Sequence, residues 1–265
     1  MSSAFLLDNV RIILSHTSHP GNIGATARAM KTMGLRSLYL VKPASFPDKE
    51  AERRSAGAWD ILNQACVCPS LDEALSGTVL AAAITARPRN LSPEVFDSRT
   101  GAAELLHLAH QGPIALVFGT EMSGLTTMEV SKCQMVVHIP ANPEYSSLNL
   151  ASAVQVMAYE LSMALVDIGP VAPTTAALAD FDETERFHQH LERIAIRCGF
   201  LDPDEPKRLM QRMRRLFGRA RLEREEVNIL RGILSACEEN MQSEKGASME
   251  VKNFSRSATE NHSGE

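Results

Sequence analysis

From residue 10 to residue 165 the chain alternates short, nearly continuous apolar runs with helical patterns, and this constrains its fold more than any other feature. Strands are expected at residues 10–14, 37–41, 79–85, 114–118 and 135–139, with a weaker one at 65–67. Helical periodicity occupies 22–33, 50–62, 101–110 and 147–166. Such alternation specifies an α/β domain around a mostly parallel sheet. Apolar runs without a polar face fit strands covered by helices on both sides. Residues 169–181 carry two prolines and no periodicity and read as a linker. Beyond them the signal is purely helical, at 182–198, 206–218 and 224–240. The expected organisation is a catalytic-type domain over 1–168, that linker, and a helical extension over 182–240. Residues 241–265 are too polar to offset ordering entropy, so a disordered tail is expected there.

Composition narrows the classes. No run of about eighteen apolar residues occurs, and the first nine residues lack a basic leader and cleavage pattern. Five cysteines form no disulfide framework, which fits a reducing compartment and a cytoplasmic protein. Cys66-x-Cys68 lacks a second pair at zinc spacing, and His107 and His110 have no acidic cluster beside them, so no metal is expected. Walker, Gly-x-Gly-x-x-Gly and Gly-x-Ser-x-Gly patterns are all missing, which weighs against ATPase, dinucleotide and serine-hydrolase readings.

Three loop motifs remain. After the first strand comes His19-Pro20-Gly21-Asn22-Ile23-Gly24, with Arg28 farther along on a face of Gly and Ala. Asn22 is expected to cap the helix, whose start could hold an anion that Arg28 reaches. The same residues also read as an ordinary strand-turn-helix with a surface arginine. The second motif, Phe118-Gly119-Thr120-Glu121-Met122-Ser123-Gly124-Leu125, follows the strand at 114–118, where parallel sheets place ligands. Glu121 could there accept hydrogen bonds or hold a neighbouring loop. The third runs from Ile139-Pro140 through Tyr145-Ser146-Ser147-Leu148-Asn149 into a helix that its serines are expected to cap. That helix is apolar nearly all round, which suits a core element or a homodimer interface.

The extension adds a basic run: residues 206–222 hold seven bases and no acid in a chain of net charge −5. At helical spacing Arg208, Arg212, Arg215 and Arg219 share a stripe, and the lack of interleaved acid favours phosphate contact over a merely solvated face.

Taken together, Asn22-x-Gly24-x-x-x-Arg28, Phe118-Gly119-x-Glu121-x-x-Gly124-Leu125, and Ile139-Pro140 through Ser147-Leu148-Asn149 resemble the SPOUT class of RNA methyltransferases. The resemblance is strongest to its TrmJ branch, tRNA ribose 2′-O-methyltransferases of the anticodon loop, and residues 228–234 extend it. It implies a Rossmann-like sheet with a C-terminal trefoil knot, and S-adenosyl-L-methionine as cofactor, in a site completed across a homodimer. By position, the cofactor contacts are Ile84, Thr85, Ala86, Gly119, Ile139, Ser146, Ser147 and Leu148. Arg28 is the catalytic candidate, with Ser147 and Asn149 orienting the ribose. Arg87 and Arg89, with Arg208, Arg212, Arg215 and Arg219, are the expected RNA contacts. The implied substrate is cytidine or uridine at tRNA nucleotide 32, whose required 2′-hydroxyl excludes DNA, while the lack of a long apolar run argues against a membrane partner. A ribosomal RNA methyltransferase and a non-catalytic RNA-binding protein of the same fold are the competing readings. Relatives commonly carry arginine where Thr120 stands, and Gly-Thr-Ser where this chain has Ala83-Ile84-Thr85.

Overall fold

The computed structural model of the chain describes residues 4–87, 92–167 and 176–260, with side chains from residue 6 to residue 242. Seven strands, β1 (Val10–Ser15), β2 (Ser37–Val41), β3 (Cys66–Cys68), β4 (Leu80–Ile84), β5 (Glu94–Asp97), β6 (Ile114–Phe118) and β7 (Met135–His138), form one sheet. Their order is β3-β2-β1-β6-β4-β7-β5. All these pairings are parallel. The helices are α1 (Ala4–Asp8), α2 (Pro20–Thr32), α3 (Lys49–Ser55), α4 (Trp59–Asn63), α5 (Leu71–Leu75), α6 (Ser98–Leu108), α7 (Thr127–Ser131), α8 (Leu150–Asp167), α9 (Phe181–Arg197), α10 (Leu209–Ala220) and α11 (Arg224–Glu260).

The expected strands are found within a residue or two of their predicted bounds. The central ones, β4 and β6, are buried at every position, because helices cover both sheet faces. Strand β5 escaped prediction: three of its four residues are exposed, so no apolar run or alternation marks it, and pairing with β7 alone makes it a strand. The helix expected over 50–62 is broken in two. Ala56 and Gly57 both take positive φ, 47° and 94°, which ends α3 and restarts the chain as α4. Residues 169–175 of the expected linker, and Arg89, lie outside the described residues. The backbone of α11 runs helical past Asn240 to Glu260, where a disordered tail was expected.

Two caps differ from expectation. Helix α2 starts at Pro20 and is capped by His19, whose Nδ1 accepts from the Gly21 N–H at 3.0 Å. The Asn22 N–H also bonds back, to the His19 carbonyl, so these first-turn amides are closed to an anion. Helix α8 starts at Leu150, and the Asn149 side chain caps it by accepting from the Ala151 N–H at 3.0 Å. Ser146 and Ser147 stay in the extended loop.

Gly24 sets how tightly α2 meets α3. A Cβ there would stand 2.0 Å from the Ala51 carbonyl oxygen, a backbone atom that cannot turn aside. We expect Gly24→Ala to cost about 2 kcal/mol or more, read as a lowered urea midpoint with unchanged m-value.

The extension docks at the amino ends of β4 and β7. The Phe181 N–H donates to the Thr78 carbonyl at 2.8 Å, and Asp182 Oδ2 accepts from the Ser76 hydroxyl and the Gly77 N–H. Arg221 pairs with Glu104 of α6 across the junction. Within the extension, Arg214 grips Glu185 through two bonds of 2.6 and 2.7 Å, and Phe187 and Phe217 meet edge to face.

Candidate active site

The three loop motifs converge at the carboxyl ends of β1, β4, β6 and β7. Glu121, in the turn after β6, reaches across to the start of α2. Its carboxylate accepts from the Ser18 N–H (3.0 Å) and hydroxyl (2.7 Å), the His19 N–H (3.2 Å) and the Asn22 side-chain amide (2.8 Å). Burial works to raise its pKa. The Ser18 N–H, the Asn22 amide and the Ser18 hydroxyl overcome that and hold the carboxyl down at about 2. Asn22 then accepts through Oδ1 from Asn149 Nδ2 at 3.1 Å. One amide therefore joins all three motifs, and Asn149 spends its other end capping α8.

The second motif folds back on itself. Gly124 takes φ +67°, its N–H donates to the Thr120 carbonyl at 3.0 Å, and the Thr120 and Ser123 hydroxyls lie 2.7 Å apart. Gly119 permits this, since a Cβ there would fall 2.1 Å from the Gly124 carbonyl carbon. Arg87 closes toward the same turn by donating to the Met122 carbonyl at 3.3 Å.

Between these loops lies an open cleft. Ile84, Thr85, Ala86, Gly119, Ile139, Ser146, Ser147 and Leu148, the eight residues expected to meet a cofactor, all line it, with Phe118 beneath. Arg87, Thr120 and Glu121 stand around them. Its lining mixes apolar residues with a few polar ones, as in sites for small organic ligands.

Not every candidate is there. Asn149 is absent from the lining and is tied to it through Asn22, whose amide bonds the lining residue Glu121. Arg28 is exposed on α2 and absent from the lining, and no ion pair engages it among the described residues. On α10, Arg212, Arg215 and Arg219 are exposed; Arg208 is exposed too but precedes the helix at φ 63°, which takes it off the expected helical stripe, whereas Arg214 and Arg221 are drawn into ion pairs. This separates free bases from structural ones along the run. As expected, Glu121 accepts hydrogen bonds and holds a neighbouring loop, but the sequence did not name Ser18 and His19 as the partners. Its partners are about a hundred residues away, and nothing local names them.

A parallel sheet bearing such a cleft beyond its carboxyl edge has the layout in which α/β proteins place ligands, and comparison with known proteins gives the class. Residues 9–159 match the model of the SpoU rRNA Methylase family, and residues 182–246 that of the tRNA methyltransferase TrmJ C-terminal domain. The chain belongs to the SpoU methylase family, in its TrmJ branch. It is 47% identical over 241 residues to the tRNA (cytidine/uridine/adenosine-2′-O-)-methyltransferase TrmJ of Pseudomonas aeruginosa (strain UCBPP-PA14), covering 87% of this chain and 94% of that one. It is 48% identical over 238 residues to the tRNA (cytidine/uridine-2′-O-)-methyltransferase TrmJ of Yersinia pestis (strain Pestoides F), covering 88% and 93%. The crystal structure of TrmJ from Z. mobilis ZM4 superposes with a TM-score of 0.77 at 33% identity, covering 86% of this chain and 98% of that one.

Replacing Glu121 by Gln should cost about 1–3 kcal/mol at pH 7, since the charge-assisted acceptor is lost while its donors remain. The folded carboxyl titrates far below its ordinary value of 4.5, so its contribution is complete above that value and is lost as pH falls from there toward 2. The wild-type and Glu121→Gln unfolding curves should therefore converge as the pH is lowered through that window.

Proposed function

We propose that this chain methylates the ribose 2′-oxygen of cytidine or uridine at nucleotide 32 of the tRNA anticodon loop, with S-adenosyl-L-methionine as methyl donor. The observation that carries this reading is the convergence of all eight expected cofactor residues on one cleft, in a chain of the TrmJ branch. When bound, S-adenosyl-L-methionine supplies a methyl group already activated by its sulfonium. The chain's own task is then alignment and management of the hydroxyl proton. Ile84, Ile139 and Leu148 supply apolar walls, and the backbone at Thr85, Ala86, Gly119, Ser146 and Ser147 supplies directional donors and acceptors. Glu121, Asn22 and Asn149 position the loops. Ser147, on the cleft wall, orients the ribose. A substrate defined by its 2′-hydroxyl excludes DNA.

Arg28 is assigned to positioning the RNA phosphate and stabilising the developing alkoxide, because a guanidinium stays protonated and is a poor base. Its absence from the cleft of its own protomer supports a homodimeric site. Helix α8 buries Val154, Met157, Ala158 and Leu161, yet leaves Tyr159 (47% exposed), Met163 (43%) and Val166 (77%) as a stripe open to water. A second copy seated on that stripe also approaches α2, which packs against α8. In this assembly Arg28 serves the partner's cleft. The SPOUT knot, the domain limits 1–168 and 182–240, and a cytoplasmic location belong to the same reading. Among the described residues, no helix is long and apolar enough to cross a membrane.

The deciding experiment incubates the purified chain with labelled S-adenosyl-L-methionine and total tRNA and maps the labelled nucleotide. A 2′-O-methyl mark at nucleotide 32 is expected. The family model's ribosomal description makes label on ribosomal RNA the specific alternative. Cofactor binding without turnover on either RNA would leave a binding protein. Arg28→Ala should lose at least about a hundredfold in methyl transfer with cofactor affinity retained. Mixing it with a variant blocked at Gly119 should recover part of the activity, since one site of the mixed dimer is intact. Charge reversal at Arg212 and Arg215 should weaken tRNA binding and reduce the slope of log affinity against log salt by about two.

A further inference from the structure

Methyl transfer leaves one group at the cleft mouth without a task. Tyr145 is 80% exposed, and it directly precedes Ser146 and Ser147 of the cleft wall. Its backbone is held firmly. Asn142 accepts from the Glu144 N–H through Oδ1 (3.0 Å) and from the Tyr145 N–H through its carbonyl (2.9 Å), and Pro140 and Pro143 fix φ on either side. On the other loop, Met122 is 88% exposed, while its carbonyl is held by Arg87. A rigid turn thus presents an aromatic ring to solvent beside the place where a ribose must sit.

We propose that Tyr145 is the stacking platform for the target nucleobase, with Met122 as a second apolar contact. This rests on the reading of the cleft as the methyl-transfer site. A ribose turned into the cleft carries its base out of the loop stack, and the exposed base face needs a replacement partner. A tyrosine ring supplies one for any base, because stacking reads the π-face and not the hydrogen-bonding edge. The neighbouring Glu144 carboxylate, also exposed, disfavours a phosphate at this point, which selects the base as the moiety received.

The test is steady-state kinetics of the full chain with tRNA, beside cofactor titration and solution mass. Tyr145→Ala should raise KM for tRNA about tenfold, the scale of one lost stack, with cofactor Kd and dimer mass unchanged. Tyr145→Phe and Tyr145→Trp should stay within about threefold of wild type, since both keep a π-face. Trp59 is the chain's one tryptophan, so in a Trp59→Phe background the indole introduced by Tyr145→Trp should report tRNA binding by quenching. Wild-type KM in Tyr145→Ala, or a Phe variant as weak as Ala, would overturn the platform. A Tyr145→Ala chain that loses its dimer mass would instead assign the ring to a second copy. If the wild-type chain itself methylates no RNA, the cleft reading falls and the platform with it.

Discussion

The site depends on one ionised carboxylate satisfied by a loop from the other end of the domain's sequence. Glu121 sits after the central strand β6, and four donors from residues 18–22 close on it. A half-buried carboxylate is costly unless it is hydrogen-bonded, so its charge and the shape of the first loop are set together. Asn22 transmits that constraint to Asn149. Because Asn149 also caps α8, the longest helix of the catalytic-type domain has its start tied to the same network. Removing any member costs the others a partner at the cleft edge, about 1 kcal/mol for each bond that water partly replaces.

The extension reaches the opposite end of the same sheet. It bonds to Ser76, Gly77 and Thr78, before β4, whereas the cleft begins at Ile84, where β4 ends. Its basic residues divide by task. Arg214 and Arg221 spend their charge on Glu185 and Glu104, and Arg212, Arg215 and Arg219 keep theirs for solvent or a polyanion. Exposed bases on an element docked at one end of the sheet and an open cleft at the other suit an elongated polyanion better than a small ligand.

Much of the fold was legible because buried parallel strands advertise themselves. A run such as Ile114–Phe118 has no polar face, and only a two-sided sheet satisfies it. Where the signal failed, the cause was local. β5 is too exposed to show a pattern, and the Ala56–Gly57 break hides inside good helical periodicity. The cap assignments failed for a different reason. Asn22 and Ser147 have the right chemistry for caps, but His19 and Asn149 took those positions, which freed Asn22 for a tertiary bond.

The sequence by itself determined the α/β layering, the helical extension with its basic stripe, and the three loops in which chemistry could reside. Those are consequences of periodicity, charge and turn residues, which act over a few positions along the chain. Only the tertiary structure decided that the eight residues grouped by the family resemblance line one cleft, that Glu121 holds the first loop, and that Arg28 lies outside its own cleft. Each is set by strand order: β6 and β7 are inserted beside β4, and this brings residues 84, 119 and 147 together across gaps that no local rule spans.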